Sequence, residues 1–190
     1  MLNKTYAGIG SRETPISVLN QMVRVGSFLG QRNFTLRSGG AKGADSAFER
    51  GCDLVKGKKQ IWMPSEDFFP LHEWATEKAS SVCWEFPLEK MKGYTIKLIT
   101  RNMFQIFGDK ESFKESTPVD FVVYWSKGNP LEKGRESGGT RYAVRVAHEA
   151  GIPTFNLRTQ KEEYALFLKE IKKDDARLKH AEENGYTWLL

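Results

Sequence analysis

Apolar residues along the chain fall into two alternating patterns: short continuous runs, and longer stretches in which they recur every third or fourth place. Residues 4–10, "KTYAGIG", form a first short run ending in glycines, which predicts a strand. In the following "ETPISVLNQMVRVGSFLG", Ile16, Leu19, Met22, Val23 and Gly26 share one helical face. Thr14 is placed to cap that helix, Pro15 to occupy its first position and Gly30 to end it. "NFTLR" (33–37) predicts a second strand, and a glycine turn then opens a helix with Ala44, Ala47, Phe48, Cys52 and Val55 on one stripe. "KQIWMP" predicts a third strand stopped by Pro64, and residues 65–92 are less regular, with Trp74 and Trp84 as core or lid anchors. A helix is expected between Gly93 and Gly108, a strong strand at "VDFVVYW", a helix in "GGTRYAVRVAHEAG", a final central strand at "IPTFNL" and a closing helix from Lys161. Short unalternating strands interleaved with amphipathic helices predict an α/β fold, a doubly wound and mainly parallel sheet with helices on both faces.

Composition adjusts this picture only slightly. A chain of 190 residues with 39% hydrophobic content and no linker or repeat is expected to form one domain over 1–190. The start "MLNKTYAGIG" lacks a signal-peptide core and no run reaches membrane-spanning length, so a cytoplasmic protein without a membrane partner is expected. Cys52 and Cys83 are too few for a disulfide framework and are read as buried thiols. The net charge of +5 permits an anionic partner without requiring one. The aromatic content could also supply a homodimer patch, although core filling accounts for most of it.

Three glycine-bearing segments fall at carboxyl ends of predicted strands: "GIGSRETP", "RSGGAKGAD" and "ESGGTRYA". In a parallel sheet that is where ligands bind. Gly10, Ser11 and Arg12 form the first candidate group. In the second, Ser38, Gly39, Gly40, Lys42 and Gly43 would let the backbone approach an anion, with the N–H groups of residues 43–46 pointing at it. Asp45 would repel a phosphate placed too near and is expected to orient a backbone group or a ribose hydroxyl. The third group is Ser137, Gly138, Gly139, Thr140 and Arg141, offering hydroxyl donors and a guanidinium, with Arg145 one turn further on. Each turn alone could simply be a tight strand–helix connection; three meeting at one rim point to a phosphate-bearing ligand.

Other chemistries find no support. "GIGSRE" lacks the third glycine of the dinucleotide fingerprint and no acidic residue ends the second strand. There is no P-loop and no GxSxG nucleophile. His72, His148 and His180 are scattered, and no Cys/His spacing suits a metal. No cofactor is expected.

The ordered motifs "SGGAKGADSAFERG", "TRNMFQIFG", "DFVVYW" and "SGGTRYAVRVAHEAGIPTFNL" resemble the Rossmann-like domain of the DNA-processing protein A (DprA/Smf) family. More widely they resemble the SLOG superfamily, which includes the LOG phosphoribohydrolases. The likeness spans residues 5 to about 157 and is nearest to stand-alone DprA-like proteins, often carried by phages. It implies that Arg101 and Asn102 match an Arg-Asn pair preceding the fourth strand, and that the second and third glycine segments match the family's site loops. In that family the corresponding surface is basic, holds single-stranded DNA and assists loading of a recombinase; elsewhere in the superfamily the pocket takes nucleotides. The chain departs from these patterns at Glu49, where a histidine is common. It departs again at Ala143, where LOG enzymes carry the glutamate of PGGxGTxxE.

Two readings follow. The first is a non-catalytic protein that binds single-stranded nucleic acid and is associated with recombination, with Arg12, Arg37, Lys42, Arg101 and Arg141 as phosphate contacts. The alternative is a small-nucleotide pocket that sequesters a nucleotide signal or hydrolyses its N-glycosidic bond, for which Glu13, Asp45, Glu49 and Glu136 are the candidate carboxylates.

Overall fold

A computed structural model describes residues 4–64, 72–134 and 136–173. Five strands form one sheet in the order β3-β2-β1-β4-β5: β1 Thr5–Gly10, β2 Thr35–Ser38, β3 Lys59–Ile61, β4 Phe121–Trp125 and β5 Thr154–Asn156. Every pairing is parallel, with Ala7 opposite both Arg37 and Val122. The helices are α1 Ile16–Gln31, α2 Ala44–Leu54, α3 Glu73–Ser81, α4 Gly93–Phe107, α5 Thr140–Glu149 and α6 Lys161–Lys173. The fold is Rossmann-like α/β, as the pattern predicts.

Alternation along the strands divides the interior in two. Tyr6, Leu36, Phe121, Val123 and Trp125 face α1 and α2, while Ala7, Ile9, Val122 and Tyr124 face α3, α4 and α5. β1 and β4 are buried along their length, which explains their continuous apolar runs. The chain leaves β1 toward β2 and returns through β4 on the other side, so strand order reverses between β1 and β4. A crevice necessarily opens at their carboxyl ends.

Some details differ from the sequence-based expectation. β5 is an edge strand rather than a central one, and α6 packs on it through Phe155 against Tyr164, on the face that also holds α1 and α2. Helix α3 forms within the stretch read as irregular; its buried side consists of Trp74 and two alanines, Ala75 and Ala79, too small to show a stripe. Pro15 precedes α1 as its cap residue, and the Thr14 hydroxyl donates to the Ser11 carbonyl at 2.7 Å instead of capping. Trp74 is a core anchor, donating to the Lys110 carbonyl at 2.9 Å, whereas Trp84 is partly exposed. Residues 65–71, the closing helix beyond Lys173 and His180 lie outside the described residues.

Candidate functional site

The crevice at the sheet's reversal point is a cavity of about 460 Å³. All three glycine loops reach it: Gly10, Ser11 and Arg12 from the first; Asp45, with Ala41, from the second; Gly138, Gly139, Thr140 and Arg141 from the third. Arg101, Asn102 and Gln105 of α4 complete the wall. Ser38, Gly39, Gly40, Lys42, Gly43 and Ser137 lie behind or beside this lining.

Those second-loop residues build the site instead of facing into it. The buried Ser38 hydroxyl donates to the Gly8 carbonyl at 2.7 Å, tying β2 to β1. A Cβ at Gly39 would overlap the Arg101 guanidinium, so glycine here is what admits that side chain. Gly43 has φ +92° and lies against the Ser11 and Arg12 backbone, a position strained for any other residue. The expectation that the amides of residues 43–46 face an anion is corrected at two of them. Ala44 N–H donates to the Ser11 carbonyl at 3.4 Å, and Ser46 N–H donates to the Ala41 carbonyl at 3.1 Å.

The anion that the glycine turn holds is the chain's own. The Asp45 carboxylate, 3% exposed, accepts backbone hydrogen bonds from Ala41, Gly10 and Gly39. Burial nevertheless raises its pKa to about 6, opposed by the charge of Arg101 and by those amides. Asp45 therefore orients backbone groups of two loops, one of the two roles expected of it.

Arg101 and Asn102 fasten the other side. Arg101 Nη1 donates to the Gly39 carbonyl at 2.6 Å, and Nη2 to Asn102 Oδ1 at 3.3 Å. Asn102 Nδ2 donates to the Gly139 carbonyl at 3.1 Å. One dipeptide on α4 thus clasps the second and third glycine loops together. After these bonds Arg101 Nε and Gln105 Nε2 are buried without a hydrogen-bond partner among the described residues, and both side chains line the cavity. Buried donors left unpaired are costly, so acceptors from solvent or ligand are called for here.

The remaining cations divide sharply. Arg12 and Lys42 are exposed, and neither forms a hydrogen bond or ion pair among the described residues. Arg141 folds back: it donates to the Gly138 carbonyl and to the Tyr142 hydroxyl (2.6 Å), and approaches Glu85 at 3.5 Å. Arg37 is buried under the sheet edge, bonded to Gln60 (2.8 Å) and to the Thr117 carbonyl (2.5 Å) and hydroxyl (2.8 Å), so it has no reach to a ligand. Arg145 is fully buried in a structural network. Its pairing with Glu85, sixty positions away, leaves no local trace in the sequence. Of the candidate carboxylates, Glu13 and Asp45 line the cavity; Glu49 pairs with Lys59 at 2.8 Å, and Glu136 lies outside the lining. No group of three or more potential metal ligands occurs among the described residues.

No protein-family model and no curated protein matches the sequence. Among solved structures, the chain is similar to DNA processing protein A (DprA) from Streptococcus pneumoniae, with 18% identity and a TM-score of 0.50. The match covers 89% of this chain and 56% of that one, so the chain spans just over half of that protein's length. At this identity the likeness is one of fold: the five-stranded parallel sheet and its helices are DprA-like. No helix among the described residues is long and apolar enough to cross a membrane.

Proposed function

We propose that the chain binds the phosphates of single-stranded nucleic acid at the cavity between β1 and β4, in a DprA-like, recombination-associated role. The observation that carries this reading is the pair of unpartnered buried donors, Arg101 Nε and Gln105 Nε2, in a cavity bordered by the exposed, unpaired Arg12. A phosphoryl oxygen is a strong acceptor for both donors and for the Thr140 hydroxyl, and a continuing strand would bring further phosphates to Arg12 and Lys42 at the rim. The net charge of +5 and the fold shared with a DNA-processing protein favour a polymer over an isolated anion. Asp45 and Asn102 act as positioning residues: they hold the loops whose separation sets the cavity's width.

The test is fluorescence anisotropy of a labelled thymidine oligomer against the full chain over a series of salt concentrations. Affinity is expected to fall steeply and log-linearly with salt, and Arg12→Ala is expected to lower the slope by about one. Affinity independent of salt, or no binding, overturns the reading.

A second reading, a pocket for a free nucleotide or nucleotide-derived signal, is favoured by the cavity's volume of about 460 Å³, which suits one small ligand. Its hydrolytic form requires a carboxylate at the ribose C1′, and Glu13 or Asp45 would serve. A thermal-shift screen with nucleoside monophosphates, followed by chromatography of the recovered compounds, separates sequestration from hydrolysis.

A further inference from the structure

The carboxyl ends of β4 and β5 border a second cavity, of about 620 Å³, at the other end of the loop that follows β4. Its floor is a fixed polar array. Tyr124 and Asn156 are neighbours in the β4–β5 register and are 4% and 5% exposed. Asn156 bonds the Tyr124 hydroxyl and donates to the Ser126 hydroxyl at 3.5 Å, and that hydroxyl donates to the Gly128 carbonyl at 2.7 Å. On its other side, Asn156 Oδ1 accepts the Arg158 amide at 3.0 Å, fixing the turn that carries Arg158.

The walls above this floor are of one sign. Lys127, Arg158 and His148 line the cavity and, among the described residues, no aspartate or glutamate does, in contrast to the first cavity with Glu13 and Asp45. None of these three basic side chains makes a hydrogen bond or ion pair among the described residues. Two permanent cations facing a shared space without a counter-charge repel each other, and an anion between them relieves that repulsion. The volume exceeds that of a bare ion and accepts a phosphate together with the group it esterifies.

We propose that this cavity is a second phosphoryl-binding site, in which Lys127 and Arg158 neutralise the anion over the floor made by Tyr124 and Asn156. It does not depend on the function proposed for the first cavity. The loop from Ser126 to Gly139 contributes Lys127 to this site and Gly138 and Gly139 to the other, so one nucleic-acid strand could reach both. A free phosphate monoester would use this site alone.

The experiment is a ¹H–¹⁵N correlation titration of the full chain with inorganic phosphate, ionic strength being held constant with chloride. Amides of residues 127–129 and 156–160 are expected to shift together. The Lys127→Ala/Arg158→Ala variant should weaken that response about tenfold while the native spectrum elsewhere is kept, since both side chains are exposed and unbonded. No grouped shift at these amides, an unchanged response in the variant, or an equal response to chloride alone overturns the proposal. Repeating the titration with thymidine monophosphate and with thymidine oligomers of increasing length identifies the source of the phosphate. A variant defect already complete with the mononucleotide marks a small ligand; one that grows with length marks a strand backbone. Loss of the first-cavity shifts on Arg12→Ala, with these retained, separates the two sites.

Discussion

Arg145 and Arg101 are both buried arginines on helices of the same face of the sheet, yet their surroundings differ in kind. Arg145 has every donor occupied: Nε on the Pro130 carbonyl at 2.7 Å, Nη1 on the Val82 carbonyl (3.0 Å) and Glu85 (2.9 Å), Nη2 on Glu85 (2.5 Å) and the Glu132 carbonyl (2.9 Å). Its guanidinium also lies 3.9 Å from the Trp84 ring centre. Arg101 has two bonds, to Gly39 and Asn102, and keeps a buried Nε unpartnered on a side chain that lines the first cavity. The first arrangement holds a fold together and the second can receive something. Positive charge alone does not distinguish them; the hydrogen-bond inventory does.

The largest effect that would sharpen this contrast is expected from Arg145→Ala. It strips Glu85 of the partner that holds its pKa down to about 2, and it leaves two buried carbonyl acceptors, those of Pro130 and Val82, unpaired. Urea denaturation should show a loss of about 3–5 kcal/mol. A loss under 1 kcal/mol would break the assignment of Arg145 to structure.

Asp45→Asn should show the next effect, and its sign is fixed. The folded pKa of Asp45 is raised from 3.8 to about 6, so its contribution to stability is full below about pH 4 and is lost as pH rises through about 6. The asparagine variant lacks that loss. Its stability relative to wild type should therefore improve between pH 4 and 7, by an amount on the order of 3 kcal/mol. Denaturant midpoints across that range check it.

Gly39→Ala should act on binding. A Cβ there displaces the Arg101 guanidinium, so oligomer affinity should fall about tenfold, matching Arg101→Ala, and the two changes together should cost little more than either one. Full additivity would mean that Gly39 acts by another route. The smallest effect is expected from Arg12→Ala, a drop in affinity of a few-fold at moderate salt that vanishes as salt rises.

Much of this was legible in the sequence. β1 and β4 read as buried strands because both of their faces are covered, and the glycine clusters marked the loops that meet at the first cavity. What escaped depends on partners distant in the chain. By its place at the end of β2, Arg37 reads as a phosphate contact, yet its guanidinium is held by Thr117, eighty positions away. "IPTFNL" reads as a central strand, but β5 lies at the sheet edge and part of its burial comes from α6 rather than from a further strand. The second loop reads as a cradle for an external anion. The sequence placed Asp45 four residues after Ala41 but could not show its carboxylate turning back to take the amides of Ala41, Gly10 and Gly39.

The most direct measurement is side-chain ¹H–¹⁵N NMR of the arginine Nε–H groups, with and without a saturating thymidine oligomer. The Arg101 Nε–H resonance is expected to move downfield as a phosphoryl oxygen takes it, while those of Arg37 and Arg145, already bonded to Gln60 and Pro130, stay in place. An unmoved Arg101 signal with the oligomer bound, or equal movement of all three, would contradict the account.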